Sequence, residues 1–304
     1  EGLAVDRAVA NGIPTYYSFK SLLGGIHALG HRRDIGLPDT ATSLAELFAE
    51  AGYATAGFNA RNPWLTSGYG YDRGFETFHD FMSGANDGIA LGQVTRTAKR
   101  VAKLAVGFSA SLTEVLGRSA RTLNAVAGLQ PLEPAESVTD AAVQWLRSVD
   151  DERPVFLWVH YMDPHYPWVP PAEYLDDASA ISRADVGRIW HTVATQYHDK
   201  RADIDEQTLD CIERLYEAEI RRTDAAIGRL LDAFRAEGRF EETVVTVTGD
   251  HGTELADHGG FSHGPRTLYD EIIRVPLVVC GPTVPDERAD LGALLDVPPT
   301  ILGL

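Results

Sequence analysis

The chain has 304 residues, 44% of them hydrophobic, and a formal net charge of −17 from 44 acidic and 27 basic residues. That size and apolar content suit one large α/β domain with a sizeable core, while the acidic excess argues against a nucleic-acid partner and against an anionic membrane surface. No run approaches the length of a transmembrane helix, two cysteines cannot build a disulfide framework, and an acidic balance with only four lysines reads as solubility in salt, the mark of a halophilic source.

The chain opens on EGLAVDRAVANG, without the basic start and apolar segment of a signal peptide, and Asp6 falls in its helix-like AVDRAVANG part. NGIPTYYSFKSLLGG then sets Thr15 after Pro14, at the head of a helix-like run closed by Gly24-Gly25. Thr42-Ser43-Leu44-Ala45-Glu46-Leu47 opens a helix with a capping residue at its start, Gly52 closes it, and Ala54 to Phe58 reads as a short strand. GYGYDRGFETF is a turn-rich aromatic loop, and residues 85–130 read as an inserted helical excursion. Ala135 to Val149 forms an amphipathic helix feeding a strand from Val155 to Tyr161. Beyond a Pro-rich loop come helices at about 181–198 and 205–236, the second with its apolar face drawn through Leu209, Ile212, Leu215, Ile220, Ala225 and Leu230. The β-branched run from Val244 to Thr248 and the run Val275 to Cys280 read as buried strands. Cys211 and Cys280 are expected to pack as small hydrophobes. Strand and helix alternate, so the expectation is a mainly parallel sheet flanked by helices.

Three clusters carry chemistry. Asp250-His251 follows the Val244 strand, between Gly249 and Gly252. In an open α/β sheet a strand end faces the ligand crevice, where a carboxylate and an imidazole can reach one divalent cation; the pair could equally be a capping Asp and a packed His. His263 lies downstream in a Gly-rich loop, whereas His258 is assigned a structural role. In FLWVHYMDPHYPWVPP, His160 is expected to be a hydrogen-bonded strand histidine, Asp163-x-His165 is an unspecific metal pattern, and His165 suits donation to an anionic substrate oxygen. Thr15 has two readings, a helix N-cap or a nucleophile beside a metal and a helix end.

VVTVTGDHGTELADHG, FSHGPRTLYDEIIRVPLVV, PVFLWVHYMDPHYPWVPP, YEAEIRRTDAAIGRLLDAF, SLAELFAEAGYATAGF and DVPPTILGL together resemble the sulfatase family of the alkaline-phosphatase superfamily, in the family's order. The resemblance implies a three-layer α/β sandwich with a mostly parallel central sheet, in one catalytic domain over residues 1–304. It matches Asp250 and His251, with Thr15, to metal ligands. It matches His165 and His263 to groups that hold sulfuryl or phosphoryl oxygens and assist the leaving group, and Asn62 to a substrate-binding position. One divalent cation is implied, with Ca, Mg or Mn favoured and Zn also compatible.

Two departures shape the functional expectation. Formylglycine sulfatases open a C/S-x-P-x-R motif with Cys or Ser; here Thr15-Tyr16-Tyr17-Ser18-Phe19 has Thr first and Phe in place of Arg. Thr cannot become the aldehyde, which makes the chain similar to members with a Thr nucleophile, such as lipoteichoic acid synthase-like transferases and phosphodiesterases. The family also begins with a strand ending in an acidic motif. Only 14 residues precede Thr15, so the chain reads as a piece of a longer protein lacking that strand and one metal-binding carboxylate. The expected activity is metal-dependent hydrolysis of a small-molecule, glycan- or lipid-linked sulfate or phosphate ester. The alternatives are a phosphoglycerol- or phosphoethanolamine-type transferase or phosphodiesterase, and an inactive sulfatase-like binding domain.

Overall fold

Where each short apolar run finds its hydrogen-bonding partner decides how the sheets form and where their ends meet. The computed structural model describes residues 2–30, 34–82, 132–150, 152–176, 181–196, 204–264 and 267–304. The helical excursion expected at 85–130 lies outside the described residues. In chain order the elements are β1 (Leu3–Val5), β2 (Ala8–Val9), α1 (Thr15–Gly24), α2 (Leu44–Glu50), β3 (Ala54–Asn59), β4 (Thr77–His79), α3 (Ala135–Leu146), β5 (Val155–His160), α4 (Arg183–Gln196), α5 (Glu206–Ala236), β6 (Val245–Thr248), β7 (Glu254–Leu255), β8 (Phe261–Ser262), α6 (Asp270–Ile273), β9 (Arg274–Val275), β10 (Leu277–Cys280), β11 (Glu287–Ala289), β12 (Gly292–Ala293) and α7 (Val297–Gly303).

The fold is an α/β sandwich, but only part of it is parallel. β3 centres an all-parallel sheet of order β4-β3-β5, with Asn59 opposite His160 at the end of the β3–β5 ladder. A mixed sheet has order β11-β1-β10-β6, in which β10 runs antiparallel to both β1 and β6. The link from β6 to β10 holds loops and the short α6 rather than a crossover helix, so the chain returns antiparallel. Pro276, with no N–H for a ladder, separates β9 from β10. Residues Leu3 to Val9 are not helical, as the four-residue apolar spacing had implied. They turn at Asp6-Arg7 into β1 and β2, which pair with β10 and β9; strand partners distant in sequence override a short local pattern.

The core forms on both sides of these sheets. Phe19, Leu22 and Leu23 of α1 pack with Leu277, Val279 and Leu294. Val138 and Ala142 of α3 and Leu230 and Phe234 of α5 pack with Ala56 and Phe58 of β3. Each large apolar side chain fully buried in this way contributes roughly 1.5–3 kcal/mol. Ser43 caps α2: its hydroxyl accepts from Glu46 N at 3.0 Å, and Glu46 Oε2 accepts from Ser43 N at 2.7 Å.

The buried stripe of α5 differs from the sequence expectation. Ile212, Leu215 and Leu230 are inside, but Ile220 is 45% exposed, and the stripe passes instead through Glu219 and Arg222. A periodicity count reads charged residues as the solvated face; here their partners lie inside.

Candidate functional site

Three elements deliver their ends to one corner. β6 leads into the turn Gly249-Asp250-His251-Gly252. Gly252 is required there, because a Cβ would lie 2.1 Å from the Glu271 carbonyl oxygen, and its amide donates to Ile272 O at 2.7 Å. The tight turn lets Asp250 Oδ1 accept from His251 N at 3.0 Å, while the buried Asp250 Oδ2 has no hydrogen-bond partner. His251 Nδ1 faces Gly252 O at 2.8 Å. A carbonyl can only accept, so Nδ1 carries a proton, and in the neutral ring Nε2 presents its lone pair.

α1 supplies the hydroxyl. Thr15 is the first helical residue and Pro14 occupies the cap position, so Thr15 is not an N-cap. Its Oγ1 lies 3.3 Å from His251 Nε2, and Nε2 is 3.6 Å from Asp250 Oδ2. One turn on, Ser18 Oγ donates to Asp250 O at 2.5 Å, pinning the helix start to the same corner. The dipole of that helix end favours negative charge.

Two further imidazoles join this group. The His263 ring centre is 4.1 Å from that of His251 and 5.2 Å from that of His165. His263 follows Ser262, a buried non-glycine residue at φ 70°, in the left-handed region. His165 donates Nδ1–H to Tyr166 O at 2.6 Å, so in its neutral form Nε2 is an acceptor. The structure thus brings Thr15, Asp250, His251, His263 and His165 together from three distant segments.

The remaining candidates separate. Asn62 is buried, and its side chain is used locally: Oδ1 accepts from Trp64 N at 3.0 Å, and Nδ2 faces Met162 Sδ at 3.5 Å. Among the described residues no hydrogen bond links Asn62 to the Asp-His group. His160 is the buried strand histidine expected, donating to Asn59 Oδ1 at 3.1 Å. Asp163 turns to the α3 and α5 side, where its Oδ1 is taken by Arg222 at 3.1 Å and Ala135 N at 3.1 Å, while its buried Oδ2 has no hydrogen-bond partner. His258 pairs with Glu271 Oε1 at 2.7 Å and stacks on Tyr269, while Glu254 Oε1 accepts from the amides of His258 and Gly260. Ligand atoms of Glu254, His258 and Glu271 lie within 4.8 Å of one another, an arrangement able to hold a cation but already satisfied by internal bonds. Spacing in sequence gave no signal for Ser18, whose role depends on how α1 docks.

Burial sets the charge states. Desolvation lowers the pKa of His263 to about 3, with His251 and His165 adding to the effect and Asp250 opposing it. Desolvation also lowers His165, against the Tyr166 carbonyl. It takes His160 to about 4. For Asp250, burial works upward, but His251, His160, the Thr15 hydroxyl and His263 outweigh it and hold the carboxyl below its usual range. The corner therefore combines an ionised carboxylate with an orphan oxygen, an imidazole lone pair and a hydroxyl. That donor set fits a divalent cation held by Asp250, His251 and Thr15.

The sulfatase family model matches residues 1–304, and the chain belongs to that family. An arylsulfatase of Clostridium perfringens is 27% identical over 158 residues, covering 50% of this chain and 32% of its own length. The chain spans about a third of the length of the curated relatives it matches. Phosphonate monoester hydrolase of Agrobacterium radiobacter superposes with a TM-score of 0.67 at 17% identity, over 99% of this chain and 66% of that one. A protein solved in complex with D-glucosamine-2-N,6-O-disulfate superposes with a TM-score of 0.64 at 17% identity, over 100% and 69% of the two chains. Among the described residues, no helix is long and apolar enough to cross a membrane.

Proposed function

We propose that this chain carries the catalytic corner of a metal-dependent hydrolase of sulfate or phosphate esters, with Thr15 as nucleophile. The carrying observation is the placement of Thr15 Oγ1 at 3.3 Å from His251 Nε2, beside the unpartnered Asp250 Oδ2. Family membership and the fold shared with a phosphonate monoester hydrolase support the reaction class. A divalent cation on Asp250, His251 and Thr15 would supply Lewis acidity and lower the hydroxyl pKa.

Thr15 Oγ forms the new bond to sulfur or phosphorus as the bond to the leaving-group oxygen breaks, and its proton passes to solvent. The α1 N-terminus attracts the ester oxygens. His165 and His263 are neutral in the free protein; an anionic ester supplies counter-charge that draws a proton onto His165 on binding, with His263 beside it. His165, as the imidazolium, then donates from Nε2 to an ester or leaving-group oxygen. In the second step a neutral ring takes the proton of the attacking water as the Thr15 ester bond breaks. Phosphoryl transfer suits this sequence better than sulfuryl transfer, because a sulfo-threonine lacks the geminal hydroxyl that assists release from formylglycine.

The test uses the full-length protein with an aryl sulfate and a bis-aryl phosphate, with and without chelator. Chelator-sensitive turnover that Thr15→Ala abolishes is expected. No chelator-sensitive turnover of either ester, or a Thr15→Ala variant equal to the parent, overturns the reading. Free phosphate or sulfate with water as acceptor separates a hydrolase from a transferase.

A further inference from the structure

Arg222 and Glu219 sit three residues apart on α5, with side chains 6% and 1% exposed. Their partners frame a single loop. At its start, Asp163 Oδ1 accepts from Arg222 Nη1 at 3.1 Å and from Ala135 N at 3.1 Å. At its end, Val169 N donates to Glu219 Oε1 at 3.0 Å, and Glu219 Oε2 lies 3.4 Å from Arg222 Nη1. Glu136 engages the other side of the guanidinium, at 2.8 Å from Nε and 2.6 Å from Nη2. Between the two ties, Trp168 Nε1 donates to Pro164 O at 2.7 Å, His165 N donates to Met162 O at 2.9 Å, and Nδ1 of His165 is held by Tyr166 O.

We propose that Arg222 is a positioning residue. Its Nη1 meets both Asp163 and Glu219 while Nε and Nη2 are held by Glu136, so one anchored guanidinium fixes both ends of loop 163–169 and sets where the His165 ring meets the ester. This rests on the ester-hydrolase reading. Three carboxylates around one buried guanidinium are a poor route to stability, since well-packed apolar side chains often serve as well or better. Trp168, Ile212 and Leu215 already surround the region. Geometry is what the guanidinium adds: Nε and Nη2 clamp Glu136 and so orient Nη1 between Asp163 and Glu219, an arrangement that the single nitrogen of a lysine ammonium cannot reproduce. Trp190 Nε1, which donates to Trp168 O at 2.9 Å, adds one tie near the end of the loop, and the hydrogen bonds of His165 itself run to Met162 and Tyr166, so its ring goes where the loop goes.

The experiment is a cycle in the full-length protein of parent, Arg222→Lys, His165→Ala and the double variant, read by kcat and KM on the phosphate ester. Arg222→Lys keeps the charge and is expected to lower kcat about 10–100-fold with KM within about twofold, the scale of a misplaced catalytic group. In the His165→Ala background the same change should have no further effect. An unchanged kcat in Arg222→Lys, or an equal loss in both backgrounds, overturns the proposal. Should Arg222→Lys not fold, Glu219→Gln replaces it; this variant keeps the Val169 acceptor but loses the charge, and a smaller, equally non-additive loss is expected. If the parent turns over no ester, the ester-hydrolase reading fails, and the ring nitrogen resonances of His165 decide alone. A single Nδ1-protonated form in the parent that becomes averaged in Arg222→Lys supports the proposal, and identical ring spectra overturn it.

Discussion

The Asp250–His251 turn and the His165 loop both leave a strand and enter the same corner, yet they are held in opposite ways. The turn relies on tight backbone geometry and leaves a buried carboxylate oxygen without a partner. The loop is tied at both ends through a buried guanidinium and braced by a fully buried tryptophan. Each keeps one buried carboxylate oxygen without a hydrogen-bond partner, Asp250 Oδ2 in the turn and Asp163 Oδ2 in the loop, but only the loop carboxylate already has a guanidinium against it. On the proposed reading the corner divides the work: the turn binds and the loop aims.

The strongest way to break this division is Thr15→Ala. Turnover should fall at least roughly 10³-fold, as when a nucleophile is removed. The melting temperature should hold, because Thr15 forms no cap. Enzyme assay beside calorimetry checks both halves. Arg222→Met attacks the aiming arm and leaves carboxylates buried without their counter-charge, at a cost of about 3–5 kcal/mol in a denaturant titration. Asp250→Asn acts on the binding arm with the opposite signature. Divalent cations should raise the melting temperature of the parent and do so much less in the variant, consistent with about 10–100-fold weaker binding, while the cation-free variant should be no less stable than the parent.

A pH titration sharpens the comparison further. His160 lies beneath the corner with its pKa depressed from 6.5 to about 4. Below pH 6.5 the unfolded chain takes up this proton before the folded one does. The stability associated with neutral His160 is thus present above that pH and is lost as pH falls through about 4. His160→Gln retains an acceptor and donor for Asn59 and should show a shallower acid loss between these limits, by on the order of a few kcal/mol. Parallel acid limbs for parent and variant would refute this assignment.

Much of this was legible because it is local. The β-branched run bounded by Gly249 marked β6, and the capping residue type in Thr42-Ser43 ahead of Leu44 marked the start of α2. The chemical character of Asp250-His251 and Thr15 could be read from residue type alone, and the sulfatase-like motifs placed them in one site. What the chain order hid depends on docking. The antiparallel return of β10 and the pairing of residues 3–9 follow from partners far away in sequence. Arg222 and Glu219 looked like a solvated face because charge at a helical position normally faces water. Only the folded chain shows Asp163 and Glu136 meeting them. For the same reason Thr15 kept two readings until the helix start was seen to have Pro14, not Thr15, in the cap position.

Ser262 carries a consequence for anyone re-engineering this protein. An L-residue held at φ 70° in a buried position stores about 1–2 kcal/mol. Glycine there would release it, so a thermostability screen would favour Ser262→Gly. The gain would come from freeing the hinge directly ahead of His263, and a hardier variant with a wandering imidazole is the expected trade.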